Sequence, residues 1–211
     1  AADSVLDVVS RNYISLRDSV QGRLRAKEAS DKSGLNASED EQESGEKEMK
    51  TQKPRKILVN IPYKDQWFVP GQESYLTTLF KDAGGEILGA KAGSSISGQI
   101  SVEAAYSLSK EADLWMNVGW CRTLEQLLSV NPLFEDFLMN IQENASARSS
   151  SDKDRTDAVH VVWNDNKRLN AKGGNDFWES GVVRPDILLR DLVGIFNEDG
   201  GYTPIYYKAI K

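Results

Sequence analysis

The sequence predicts an α/β fold, in which a parallel β-sheet is flanked by helices on both faces in a three-layer arrangement. The first observation is that, from Pro54 onward, short apolar runs alternate with stretches of helical periodicity. The second is that 39% of the 211 residues are hydrophobic, which is enough to form a buried core. The third is the chain length, which allows one domain or at most two.

The first segment is predicted to be an amphipathic helix. Ser4 and Asp7 resemble a capping box at its start. Apolar residues then recur every three or four positions and form one face of the helix, at Val5, Val9, Tyr13, Leu16, Val20 and Leu24.

Residues 28–53 follow this helix and differ from it in composition. Of these 26 residues, 12 are charged, four are apolar and none is aromatic. Such a stretch cannot bury enough apolar surface to offset the entropy lost on ordering, so we expect a disordered insertion. Residues 144–157 are also polar and are expected to form a solvent-exposed loop.

The chain after Pro54 is predicted to alternate strands and helices. The strand candidates are short apolar runs, at residues 56–61, 87–90, 112–118 and 158–163. The helix candidates fill the intervals and the C-terminal part, at residues 74–83, 101–110, 124–129, 133–141 and 185–196. Gly84 and Gly85 follow the first of these helices and are predicted to form its C-cap.

Aromatic, cationic and amide side chains follow the predicted strands. In an open α/β sheet, ligands bind in the crevice beyond the carboxyl ends of the strands. Aromatic rings interleaved with amide and cationic groups suit a large, partly apolar and often anionic ligand. An alternative is that some of these rings only close the ends of the sheet. The candidate ligand-binding residues are Tyr63, Trp67, Trp120, Arg122, Trp163, Asn166, Arg168 and Trp178.

Several function classes lack support in the sequence. A net charge of −6 argues against nucleic-acid binding. No phosphate-binding or dinucleotide-binding glycine motif follows a strand, and no nucleophile elbow occurs. With one cysteine and one histidine, the chain lacks a disulfide framework and a histidine-pair metal motif. Asp176 and Glu179 lie three residues apart and are the candidate acid pair.

The C-terminal part of the chain resembles a known family. The stretches GNDFWESGVVRPDILLRDLVGIF (174–196) and YTPIYYKAI (202–210) are similar to the end of periplasmic substrate-binding proteins of ABC importers. The similarity is to the class for ferric siderophores, haem and cobalamin, in which a long helix joins two lobes, and to the forms common in Bacteroidetes. The segments 57–71, 74–85, 95–117 and 164–181 agree with it in order.

This resemblance implies a domain organisation. Residues 1–27 correspond to the C-terminal part of the inter-lobe hinge helix, and residues 54–211 to the C-terminal substrate-binding lobe. The charged insertion at 28–53 has no counterpart. We therefore expect an N-terminal lobe before residue 1 in the parent protein, and a homodimer of this chain through the apolar face of the hinge helix is a further expectation.

The resemblance also implies a function. The protein would capture an iron-siderophore, haem or cobalamin-type ligand in the periplasm, without chemistry and without an intrinsic cofactor, and deliver it to an ABC permease of the inner membrane. Trp67, Trp163, Arg168 and Trp178 would lie on the wall of the cleft. Glu103 would dock onto arginines of the permease, since an exposed carboxylate can pair with arginine in bidentate geometry. Alternatively, Glu103 complements the start of its own helix.

Two other functions stay open at this point. One is an α/β enzyme with Asp176 or Glu179 as acid or base, which predicts a buried carboxylate with a raised pKa in the pocket. The other is an interaction module in which the tryptophans are only core residues, which predicts buried tryptophans and no cleft. A binding lobe predicts exposed aromatic rings at the strand ends and an exposed Glu103.

Overall fold

The sheet of this protein has five strands and lies between two layers of helices. The computed structural model describes residues 4–33, 53–64, 66–149 and 160–211. The strand order is β3-β1-β5-β6-β7, and all neighbours are parallel except β6 and β7. The predicted α/β class is confirmed. The strands of this sheet are β1 (Arg55–Val59), β3 (Gly85–Ile87), β5 (Leu114–Met116), β6 (Val162–Asn164) and β7 (Lys208–Ala209).

Strand β1 lies inside the sheet and fixes its register. Ile57 is opposite Ile87 of β3 on one side and opposite Leu114 of β5 on the other. These positions are buried, as expected for parallel strands covered on both faces. A separate antiparallel pair is formed by β2 (Trp67–Val69) and β4 (Gly98–Ile100).

The helices form one layer on each face of the sheet. One layer contains α1 (Val5–Ser33), α2 (Tyr75–Asp82) and α6 (Pro185–Phe196), which pack on one another. The other contains α3 (Val102–Ser109), α4 (Leu124–Val130) and α5 (Phe134–Ser149). In the described part of the chain, no helix is both long and apolar enough to cross a membrane.

Short polar side chains and a glycine define several helix ends. The hydroxyls of Ser74, Ser101 and Thr123 each accept a hydrogen bond from a backbone N–H in the first turn of α2, α3 and α4. Ser4 and Asp7 form the reciprocal bonds of a capping box at α1. After α2, Gly84 adopts a φ of 89°, which a residue with a Cβ rarely adopts, and this confirms the predicted C-cap.

An aromatic cluster fills the core between the sheet and α5. Trp67 stacks on Trp115 and on Phe137, with ring centroids 5.9 and 5.7 Å apart. Phe134 meets Trp115 edge to face at 4.9 Å. Such large buried rings contribute much of the hydrophobic stabilisation of a domain.

Three predicted boundaries are wrong. Helix α1 continues to Ser33, so the boundary at residue 27 was placed too early, and residues 28–33 are helical. Helix α5 continues to Ser149, so the expected loop does not begin at 144; the Asn144 amide in this helix donates to the carbonyls of Lys110 and Ala112. Strand β3 lies at Gly85–Ile87, earlier than the predicted 87–90. The rest of both polar segments, 34–52 and 150–159, lies outside the described residues.

Candidate functional site

The strand order identifies one edge of the sheet as the expected ligand site. From β1 the chain moves outward to β3, and after it has crossed back to β5 it moves outward to β6 on the other side. The connections therefore leave β1 and β5 in opposite directions, so the carboxyl ends of these two strands form the topological switch point. Ligands of open α/β sheets bind at this topological switch point.

Both strands end on an asparagine with left-handed backbone. Asn60 has a φ of 69° and Asn117 a φ of 58°, a conformation that asparagine tolerates better than most residues. The Asn60 N–H donates to the Met116 carbonyl at 2.9 Å, and the Trp115 indole N–H donates to the Asn60 carbonyl at 2.7 Å. These bonds hold the two strand ends together while the chain turns away from the sheet.

Three aromatic rings at this edge are exposed. Tyr63 is 66% exposed, Trp120 60% and Trp178 55%. Tyr63 lies in a tight turn closed by paired backbone bonds to Gln66, of 2.8 and 3.1 Å. The Lys64 ammonium lies 5.3 Å from the centre of the Tyr63 ring. Of the rings expected at the strand ends, these three are therefore exposed, whereas Trp67 is buried and Trp163 is half-buried.

Two buried asparagines fix the loop that carries Trp120 and Arg122. The Asn164 amide donates to the carbonyls of Gly119 and Cys121, at 2.9 and 2.8 Å. The Asn166 amide donates to the same carbonyls, at 3.4 and 3.1 Å. The end of β6 thereby positions the loop after β5, and Trp120 is held on a rigid support.

The loop after β6 positions Trp178. Arg168 forms an ion pair with Asp176 at 2.8 Å, and its carbonyl accepts the Asp176 N–H at 3.0 Å. A short 3-10 turn over Asp176–Trp178 follows. Within it, buried Phe177 packs edge to face on Tyr207 at 5.7 Å and on Trp178 at 4.8 Å.

Polar side chains form a buried floor beneath this edge. The pKa of the Asp165 carboxyl is raised from 3.8 to about 6, mainly because the group is buried. A hydrogen bond with Asn175 lowers this pKa and offsets part of the effect of burial. Burial, and next the Asp165 charge, raise the pKa of Tyr207 well above its usual value. The Tyr207 hydroxyl, Asn117 Oδ1 and Asn166 Oδ1 have no hydrogen bond of normal geometry, although Asn117 is close enough to affect the pKa of Tyr207. These atoms make the layer beneath the edge polar, whereas most of the core is apolar.

The structure corrects the role of Trp67. Its side chain is 0% exposed, and its indole N–H donates to the Val59 carbonyl at 2.8 Å. The ring belongs to the core cluster and presents no face to a ligand, because Trp67 begins β2 and packs under the sheet rather than beyond it.

Three further candidates have structural partners. Trp163 is half-buried and its indole N–H donates to the His160 carbonyl; in β6 it projects to the face opposite Asn164. Asn166 is buried, and its amide donates hydrogen bonds to the loop after β5. The Nε of Arg168 forms the ion pair with Asp176, although the Arg168 side chain is 53% exposed.

The carboxylates named from the sequence lie in three different settings. Glu103 is exposed in the first turn of α3, where a hydrogen bond with Ser101 lowers the pKa of its carboxyl. Asp176 is paired with Arg168, and exposed Glu179 accepts a long hydrogen bond of 3.4 Å from Asn170. The buried carboxylate with a raised pKa is Asp165 instead.

Sequence reasoning missed Asp165, Asn117 and Tyr207. A signal for Asp165 was available, because the run Asn164-Asp165-Asn166 directly follows an apolar strand at the expected crevice. Nothing in the sequence predicts that Tyr207 lies near Asp165, since its position depends on the pairing of the antiparallel strand β7, which it precedes.

A concave surface lies away from this edge. A groove of about 790 Å³ follows the open side of β3 between α1 and α2, and its lining includes Arg25, Thr77, Lys81 and Glu86. Its rim lacks exposed aromatic rings and buried unpaired polar atoms among the described residues. In the same part of the chain, no group of three histidine, cysteine or acidic side chains is placed to hold a metal ion.

Compared with known proteins, the chain matches no family model, no curated protein and no solved structure.

Proposed function

We propose that this protein binds a metal chelate of the iron-siderophore, haem or cobalamin type at the carboxyl edge of its sheet, and that it delivers this ligand to an ABC permease. The observation that carries the proposal is the set of three exposed rings, Tyr63, Trp120 and Trp178, in the segments that follow β1, β5 and β6. Large exposed aromatic side chains are costly to keep in contact with water, and several of them after the carboxyl ends of neighbouring strands suit a broad, partly apolar ligand.

The hydrogen bonds and the ion pair that hold the loops of these rings favour a binding protein over an enzyme. Trp120 and Trp178 are held by loops that are tied down by Asn164, Asn166 and the Arg168–Asp176 pair. A preorganised site loses little conformational entropy on binding. Lys64 and Arg122 are exposed beside the rings and add positive charge for an anionic ligand.

Delivery is the second part of the proposal. Glu103 is exposed at the start of α3, and the hydrogen bond with Ser101 lowers the pKa of its carboxyl further below neutral pH. A charged, accessible carboxylate can pair with an arginine of a permease. A periplasmic location belongs to the same proposal.

An enzyme is the second candidate, and Asp165 is the observation that favours it. A buried carboxyl with a pKa of about 6 can hold or release a proton near neutral pH. In that case Asp165→Asn would abolish turnover of a bound substrate, whereas a binding protein would return its ligand unchanged.

The test is a titration of the intrinsic tryptophan fluorescence with haem, cyanocobalamin and a panel of ferric siderophores. We expect saturable quenching by one of these ligands, and about tenfold weaker binding in Trp120→Phe and Trp178→Phe. Trp163→Phe is the matched control and should bind as the wild type does. The proposal fails if no ligand binds, or if both Trp120→Phe and Trp178→Phe bind with wild-type affinity.

A further inference from the structure

Arg122 and Lys208 bring two positive charges together at the carboxyl edge. Lys208 of β7 lies directly opposite Asn164 of β6. The Asn164 amide in turn donates to the carbonyl of Cys121, the residue before Arg122, at 2.8 Å. Residues directly opposite in an antiparallel pair project to the same face, so Lys208 extends toward the loop that carries Arg122.

Neither cation has a carboxylate partner among the described residues. Within the described ranges, no ion pair joins Arg122 or Lys208 to a carboxylate. Glu125 is the acidic side chain nearest to Arg122 in sequence, and it is exposed. Burial, and next the Arg122 charge, lower the pKa of Lys208. Two like charges without a counter-ion destabilise a fold, so a bound anion would relieve this arrangement.

We propose that Arg122 and Lys208 together bind a carboxylate of the ligand, beside the exposed ring of Trp120. The guanidinium offers a planar pair of donors and the ammonium a compact charge, a combination suited to a carboxylate. This inference rests on the proposed function and narrows it: the chelate carries carboxylates at its periphery, as haem and carboxylate siderophores do, and is not a neutral chelate.

The anion site is tested first without any chelate, with citrate as the probe. NMR of the full chain follows the side-chain signals of Arg122 and Lys208, with Lys110 as the reference lysine at the amino end of β5. We expect citrate to shift both signals saturably and to raise the pKa of Lys208, while Lys110 moves little. Unmoved signals, or a shift of Lys110 equal to that of Lys208, would overturn the inference.

The charge preference is tested with two matched ligands, haem and haem whose two carboxylates are converted to primary amides. We expect Arg122→Gln and Lys208→Met each to weaken haem binding about tenfold and to leave binding of the bisamide within about twofold. Lys110→Met makes the same charge change elsewhere and should affect neither ligand. Equal losses for haem and for the bisamide would contradict the inference.

The proposed function and the anion site can be disproved separately. If citrate binds at Arg122 and Lys208 but no chelate binds, the anion site is supported and the proposed function is contradicted. If a chelate binds with the same affinity to the wild type, to Arg122→Gln and to Lys208→Met, the proposed function is supported and the anion site is contradicted.

Discussion

At the scale of single residues, the side chain of Asp165 links folding to pH. Its carboxyl is buried at the end of β6 and has a pKa of about 6 in the fold, against 3.8 as its ordinary value. The folded chain therefore holds this proton more tightly than the unfolded chain does. The resulting stabilisation is complete below about pH 4 and is lost as the pH rises through about 6.

We expect Asp165→Asn to remove this dependence. Between about pH 4 and pH 7.5, the free energy of unfolding of the wild type should fall by about 2 kcal/mol relative to the variant, because the amide cannot ionise. Urea unfolding at a series of pH values measures the difference. Asp136→Asn, at an exposed carboxylate of α5, is the control and should follow the wild type. Parallel curves for Asp165→Asn and the wild type would contradict the account.

The burial of individual tryptophans could not be predicted from the sequence. Trp67 and Trp178 both follow a predicted strand or loop at the same edge, yet one is fully buried and the other is 55% exposed. Sequence position predicts the edge of the sheet but not the depth of a side chain, which depends on whether β2 folds back under the sheet.

Substitution of these two rings should therefore differ in its effect on stability. We expect Trp67→Phe to lower the free energy of unfolding by about 2–3 kcal/mol, because it leaves a cavity and removes the donor to the Val59 carbonyl. Trp178→Phe should change it by less than about 0.5 kcal/mol. Urea unfolding of both variants is the measurement. Similar losses in the two would mean that Trp67 is not a core residue.

At the scale of elements, one buried carboxylate connects the last helix to the last strand. Asp191 of α6 accepts hydrogen bonds from the Tyr202 hydroxyl at 2.7 Å, from the Ile205 N–H at 2.9 Å and from the Tyr206 N–H at 2.6 Å. It thus fixes the segment that brings Tyr207 and Lys208 to the site.

We expect Asp191→Asn to loosen this segment, because the amide nitrogen cannot accept a hydrogen bond. The free energy of unfolding should fall by about 2–3 kcal/mol. Hydrogen exchange at the Ile205 and Tyr206 amides should become faster than at α2, which serves as the internal reference. Unchanged exchange at both amides would show that Asp191 does not hold the segment.

Helices and strands were predicted well where an apolar repeat extends over many residues, and poorly where their bounds depend on tertiary packing. Helix α6 has the predicted bounds, 185–196, because its apolar spacing is regular. Gly85 was assigned to a cap, but it begins β3: a Cβ there would lie 2.6 Å from Ile57 and 2.7 Å from Phe196, so the strand needs a glycine for close approach. Strands β2, β4 and β7 were missed because they contain two or three residues and pair only in the tertiary fold.

At the scale of the whole molecule, the alternation of strands and helices correctly predicted the fold class. Carboxyl ends of parallel strands share one edge of a sheet, and Tyr63 and Trp120 follow the neighbouring parallel strands β1 and β5 at that edge. The strand order and the position of Tyr207 beneath this edge could not be predicted, because they depend on which strands become neighbours.

The central claim is that the ligand binds at this edge and not in the groove along β3. Chemical-shift mapping of backbone amides with the chelate that quenches tryptophan fluorescence tests it most directly. We expect shifts at residues 60–64, 117–122 and 164–178, and none at residues 84–90. Shifts confined to residues 84–90 and to the facing part of α1 would place the ligand in the groove and contradict the account.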